Sequence, residues 1–167
     1  MIAYILIAFG FMLRLIPHVP NMVPVAAIAI FAGAYLNKKI VPWVPLAIMV
    51  ISDLIIGLHG VIFYTWGAFI LIGYMGMFLR TRRTPARIFS MGVLSALVFF
   101  VITNFGVALA WYPHTAAGFV SCYVNALPFL RNTLVSNVLF SFVFFGVYEM
   151  AVKMAEKSKF RKVLLAS

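Results

Sequence analysis

Three ionisable side chains interrupt long apolar runs: Arg14, Asp53 and Arg131, each near one end of its run. An ionised group in hydrocarbon costs about 2.5–3.5 kcal/mol on insertion scales, and such groups usually face protein or a wet cavity. Two readings are open for each arginine. Its stem snorkels to the interface, or its guanidinium faces an anionic or amide-bearing ligand. Asp53 has too short a stem to snorkel, so it either braces helices by pairing with an arginine or lines a site. A pair would satisfy only one arginine. The three together therefore predict a net positive cavity.

Imidazole is the commonest metal ligand, and the chain has three histidines, His18, His59 and His114. No two share a short ligand spacing, so no metal site is expected. A single histidine contacting a ligand is the better use, and His18 is favoured. Prolines on both sides hold it in "RLIPHVPNMVP", since proline fixes its own backbone angle. Thr133, Asn137 and Ser141 repeat at i,i+4, with Asn132 and Ser136 in the next row and Thr103 and Asn104 in an earlier run. Interhelical hydrogen bonds, worth about 0.6 kcal/mol each on average, are their first expected role. Asn104 and Asn132 are placed to contact a ligand as well. Phosphate loops, zinc-protease motifs and nucleophile elbows are absent, so neither enzymatic activity nor a cofactor is expected.

The elements that carry these residues follow from composition. The 167 residues are 65% hydrophobic and 10% charged, against about 25% charged in soluble domains. Backbone groups in hydrocarbon must pair internally, which leaves helices or a closed barrel. Runs such as "GVLSALVFFVITNFGVALAW" lack the polar–apolar alternation of barrel strands. The expectation is an all-α protein, a single transmembrane domain over 1–167. Its helices fall at about 2–16, 22–36, 41–57, 61–79, 88–111 and 128–152, with a basic tail over 153–167. A crossing helix needs roughly 17–25 residues. The last four qualify; the first two form a thin hairpin or extend into flanking residues.

Six crossings put Lys38 and Lys39, Arg80 to Arg87 and the tail on one side, and His18, His59 and His114 on the other. The positive-inside rule then makes both termini cytoplasmic. The net charge of +10 is assigned to anionic membrane lipid rather than to nucleic acid, because its clusters lie between apolar spans. Glu149 is read as interfacial, paired with Lys153 at i,i+4. Cys122 is the single cysteine, so no intrachain disulfide forms. "MIAYILIAFGFML" lacks the features of a signal peptide. Ala29 and Gly33 make a close-packing pair, used internally or to dock a partner subunit.

The stretches "RLIPHVPNMVPVAAIAIFAGAYL", "SDLIIGLHG" and "LPFLRNTLVSNVLF" resemble, in order and spacing, a bacterial membrane-protein family. That family is related to the substrate-binding S components of energy-coupling-factor (ECF) vitamin transporters. The likeness is nearest to solitary cobalamin-uptake S components of the BtuM type. It implies an S-component-like six-helix bundle in the bacterial inner membrane, a non-enzymatic binder open to the outside. Its substrate would be a small organic nutrient, vitamin-like or cobalamin-like, and an ECF energising module would be its partner for active uptake. By the same resemblance His18, Asp53 and Arg131 fall at cobalamin-site positions. The cobalt-ligating cysteine has no counterpart, and Trp66 aligns to its place in "HGVIFYTWGAF". Trp66 or Tyr64 then stacks on a planar ring or closes the pocket.

The expected binding set is Arg14, His18, Asn21, Asp53, His59, Tyr64, Trp66, Asn104 and Arg131. The competing reading is a non-transporting accessory or assembly subunit of a larger membrane complex. It predicts Asp53 in a closed ion pair and no cavity.

Overall fold

Prolines and one glycine decide where several helices begin and end. The computed structural model of the chain describes residues 1–17 and 19–157; His18 and the basic tail beyond Lys157 lie outside the described residues. The elements are α1 (Ile2–Leu15), α2 (Val25–Tyr35), α3 (Trp43–Ile56), α4 (Ile62–Gly76), α5 (Pro85–Trp111) and α6 (Ala116–Glu156), with a 3-10 turn, Met77–Leu79, continuing α4. Among the described residues all regular structure is helical. Pro24 and Pro42 sit immediately before α2 and α3. Gly57 ends α3 at φ +123°, a conformation that side chains with a Cβ rarely adopt. Thr84 caps α5 by accepting from the Arg87 amide, and Pro85 takes the first helical position, where its missing N–H costs nothing.

The loop "RLIPHVPNMVP" is a built turn. The Met22 amide donates to the Val19 carbonyl at 2.9 Å, and Asn21 sits at φ +62°. Proline followed by a left-handed asparagine is the pairing that a type II turn requires. The loop is then laced to α6: Asn132 donates to the Pro20 carbonyl at 3.1 Å and Ser136 to the Val23 carbonyl at 3.0 Å. Carbonyls left without helical partners are satisfied this way.

Among the described residues three elements are long and apolar enough to cross a membrane: α4 with its turn at 18 residues, α5 at 27 and α6 at 41. The other three, at 14, 11 and 14 residues, are shorter. At 1.5 Å per residue they span only about 16–21 Å, against a hydrocarbon core of about 30 Å. The expected third span, 41–57, therefore falls short, cut by Pro42 and Gly57. Phe63, Phe78, Leu54 and Met154 are among the most exposed side chains. Long apolar helices with such an outer surface mark a membrane protein.

The short helix α2 is the centre of the bundle. Its sequence is apolar all round, which suits burial on every side, and Val25 to Ala34 are all buried. A Cβ on Gly33 would collide with the Gly73 carbonyl, and one on Gly76 with the Ile30 carbonyl. The two backbones touch only because both positions are glycine. The small-residue face of α2 thus packs on α4 inside the protein, leaving no surface there for a partner.

At the basic end, Arg80 and Arg83 donate to the Leu36 and Ala34 carbonyls, the latter at 3.3 Å. Both cations sit where the helix dipole of α2 is negative. The Arg83 guanidinium also lies 4.3 Å from the centre of the Tyr35 ring. Two arginines expected to serve lipid are therefore engaged, at least in part, with the protein. Glu149 accepts from the Tyr35 hydroxyl at 2.6 Å and, among the described residues, forms no ion pair with Lys153. A partner on α2 has replaced the neighbour one turn along.

Helix α6 departs most from expectation. It begins at Ala116, not at 128, and runs through Pro128. Thr115 starts it by accepting from the Gly118 amide at 3.1 Å. Pro128 removes one N–H, the one that would reach the Val124 carbonyl, and flanking turns continue. Most of residues 112–127, which lie between two of the expected helices, is helix that walls the site below.

Candidate functional site

Asp53, in the last turn of α3, gathers three other side chains. Arg14 donates through Nη2 to Asp53 Oδ1 at 2.7 Å and through Nε to Ser52 Oγ at 2.6 Å. Trp66, on α4, donates its indole N–H to Asp53 Oδ2 at 2.8 Å. His59 Nε2 stands 3.9 Å from the same oxygen. One buried carboxylate thus ties α1, α3 and α4 together at the end opposite the basic loops. Each of its oxygens has a donor, the condition under which a buried charge is tolerated.

Beside this cluster opens a cavity of about 480 Å³. Its polar wall includes Arg14, Asn21, His59, Asn104, Tyr112 and Asn125; Phe69, Phe99 and Phe129 are among its apolar lining. Phe69 and Phe99 pack against each other with ring centroids 4.9 Å apart. A smaller adjoining hollow of about 20 Å³ shares Asn21, Val23, Phe69 and Phe99 and reaches Thr133 and Asn137. The cavity is chemically mixed: apolar rings on one part, amides and a phenol on another.

Elements from the whole chain build it. Asn21 is supplied by the turn before α2. Asn104, on α5, donates its amide to the Phe100 carbonyl at 2.8 Å, which holds the side chain in place and leaves its oxygen as an acceptor. Thr65 and Thr103 also line the cavity, with hydroxyls donating to the carbonyls of Val61 and Phe99 at 3.2 and 2.8 Å. The first turns of α6 bring Cys122, Asn125, Ala126 and Phe129. Asn125 donates to the Tyr112 hydroxyl at 3.3 Å, and the Cys122 thiol lies 3.5 Å from the Asn104 carbonyl.

Of the residues expected from sequence, Arg14, Asn21, His59 and Asn104 line the cavity together. Asp53 stands behind Arg14. Trp66 is turned to Asp53 and is not in the lining; its indole holds the carboxylate instead of covering the pocket. Tyr64 packs toward α5, over Gly106 and 6.3 Å from the Phe105 ring, so it too is off the site. Arg131 is exposed on α6 and does not reach the cavity. The expected net positive charge is therefore reduced: one arginine is present, and Asp53 offsets it. His18 lies outside the described residues.

Sequence reading missed Cys122, Asn125 and Phe129. Gly118, Cys122, Asn125 and Phe129 recur at helical spacing, the signal by which they were detectable. Ser136 and Asn137 tie α6 to other segments, Ser136 through the Val23 carbonyl and Asn137 through Ser95 of α5 at 3.0 Å, whereas the Thr133 hydroxyl donates within α6 to the Phe129 carbonyl at 2.8 Å.

No curated protein and no solved structure matches the chain. Residues 1–162 match the family of unknown function DUF6580, and the chain belongs to that family.

Proposed function

We propose that the protein is a substrate-binding membrane protein for uptake of a small organic nutrient, related in kind to ECF-transporter S components. The observation that carries this reading is the cavity of about 480 Å³ at the end opposite the basic loops. Pockets of about 300–1,000 Å³ hold drug-sized ligands. Its charge is balanced locally, because Asp53 takes the guanidinium of Arg14. Amides at Asn21, Asn104 and Asn125 and rings at Phe69 and Phe99 suit a planar, neutral, vitamin-like solute. Intact cobalamin is far larger than a drug-sized ligand, so the volume favours a smaller compound.

Six crossings with both termini in the cytoplasm remain the economical topology, since they collect Lys38, Lys39, Arg80 to Arg87 and the tail on one side. The cavity then opens outward. The short helices α1 to α3 cross with local thinning of the bilayer or with help from flanking residues. The bacterial inner membrane follows from the resemblance. Active uptake would take its energy from a partner module, because the chain carries no nucleotide-binding motif.

A second reading, an accessory or assembly subunit, is favoured by one observation, the closed Arg14–Asp53 pair. The cavity beside that pair argues for binding. Titrating the detergent-purified protein separates the two. Cobalamin is followed by its corrin absorption; riboflavin, thiamine and nicotinamide are followed by calorimetry. Saturable binding of one solute, weakened by Asn104→Leu or Asn125→Leu at unchanged melting temperature, supports uptake. A folded protein that binds none of them, and that purifies with a stoichiometric partner subunit, overturns it.

A further inference from the structure

Two hollows flank a single phenyl ring at the basic end of α4. One, of about 560 Å³, is lined by Leu71, Tyr74, Met75 and Phe78 with Lys38, Arg80 and Thr81 among its other residues. Leu71, Tyr74 and Met75 follow i, i+3, i+4 on one face of α4, and Phe78 comes next in the 3-10 turn. The other, of about 390 Å³, is lined by Arg87, Ser90, Met91 and Leu94 of α5, at i, i+3, i+4, i+7, and by Phe78 and Thr81. Phe78 and Thr81 belong to both. Phe78 is 75% exposed, so the ring stands as a ridge between two troughs.

We propose that this paired hollow binds one anionic phospholipid, its two acyl chains on either side of Phe78 and its phosphate at Thr81 among Lys38, Arg80 and Arg87. Charge complementarity names the occupant. No acidic residue lines either trough, and among the described residues Lys38, Arg80 and Arg87 have no ion-pair partner. The chain's three acids are elsewhere: Asp53 holds Arg14, Glu149 accepts from Tyr35, and Glu156 ends α6. Arg80 spends Nη2 on the Leu36 carbonyl, and its buried Nε has no partner. The cations and the Thr81 and Ser90 hydroxyls gather toward the loop ends of α4 and α5, while Leu71 and Leu94 lie toward the helix middles. That is the polarity of a lipid at an interface. A partner's helix would need one continuous strip, which Phe78 divides. The inference rests on the membrane character of the protein and is independent of what the opposite cavity binds.

Native mass spectrometry of protein released from nanodiscs containing equal phosphatidylglycerol and phosphatidylcholine tests it. The wild type retains phosphatidylglycerol in preference. Lys38→Gln with Arg87→Gln lowers that retention by roughly 30-fold, as expected for two basic side chains near the membrane surface. Arg80 is left intact because it holds α2, and an unchanged melting temperature shows that the variant is folded. Phe78→Ala, which removes the ridge without touching a charge, lowers retention of the diacyl lipid as well. Equal retention of the two lipids by the wild type overturns the assignment. So does undiminished phosphatidylglycerol on the double variant, which would place the retained lipid elsewhere on the protein.

Discussion

Arg14 and Asp53 meet at 2.7 Å on the edge of the cavity, with the carboxylate side chain only 3% exposed. Of the two readings left open for Asp53, bracing by an arginine is the arrangement present. The pair braces α1 against α3, and its arginine lines the cavity. Breaking such a pair from one side leaves a buried charge, which typically costs about 3–5 kcal/mol. Arg14→Met should therefore destabilise strongly. Arg14→Met with Asp53→Asn should recover most of that loss, because the amide oxygen still accepts from Trp66. Reversible unfolding in mixed micelles measures both. A double variant no more stable than Arg14→Met would show that charge pairing is not what links the two residues.

Backbone contact between α2 and α4 makes a second prediction. A Cβ at Gly76 would run into the Ile30 backbone, while one at Gly67, on the same helix, meets nothing within 4 Å. Gly76→Ala is expected to cost about 1–3 kcal/mol, the usual range for overpacking. Gly67→Ala should be neutral or stabilise by up to about 1 kcal/mol through helix propensity. The two melting temperatures should move in opposite directions or, at the least, differ by several degrees.

Much of this arrangement was legible in residue type and order. Arg14, Asn21, His59 and Asn104 could be assigned to one end because each lies near the same end of an apolar run. What escaped was rotation about helix axes. Arg131 stands two residues after Phe129 and two before Thr133, about 200° round the helix from either. It must face away from the side that carries both. Trp66 was placed by alignment to a missing cysteine, and no local rule foretells that its N–H would find Asp53 on another helix. Nor does Pro128 break α6. A single proline removes one hydrogen bond, and the packing of Gly118, Cys122 and Ala126 outweighed that loss.

The helical start of α6 is itself testable. Thr115 caps it through the Gly118 amide, so Thr115→Ala should cost about 1 kcal/mol. Pro128→Ala restores a donor for the Val124 carbonyl and should stabilise, by up to about 3 kcal/mol if the helix is unstrained there. A loop over 112–127 would make Thr115→Ala silent. Hydrogen exchange of the amides from Phe119 to Ala126 reads the difference directly, with protection expected in the wild type and faster exchange in Thr115→Ala.

Cys122 offers a direct probe of the cavity, because it is the only thiol in the chain and lies in the cavity wall. It is 2% exposed, so bulk solvent reaches it only through that space. Reactivity of a thiol follows its access as well as its thiolate fraction. A small methanethiosulfonate reagent should modify Cys122 slowly, and a bulky maleimide should not. Ala126→Trp, which fills the cavity from the next turn of α6, should suppress the small reagent's reaction at least tenfold, an order of magnitude set by steric access. Applied to intact cells, a charged, impermeant reagent adds the orientation. Modification from outside agrees with a cavity open to the exterior and the basic loops in the cytoplasm. Modification only after permeabilisation would invert that topology and, with it, the direction of uptake.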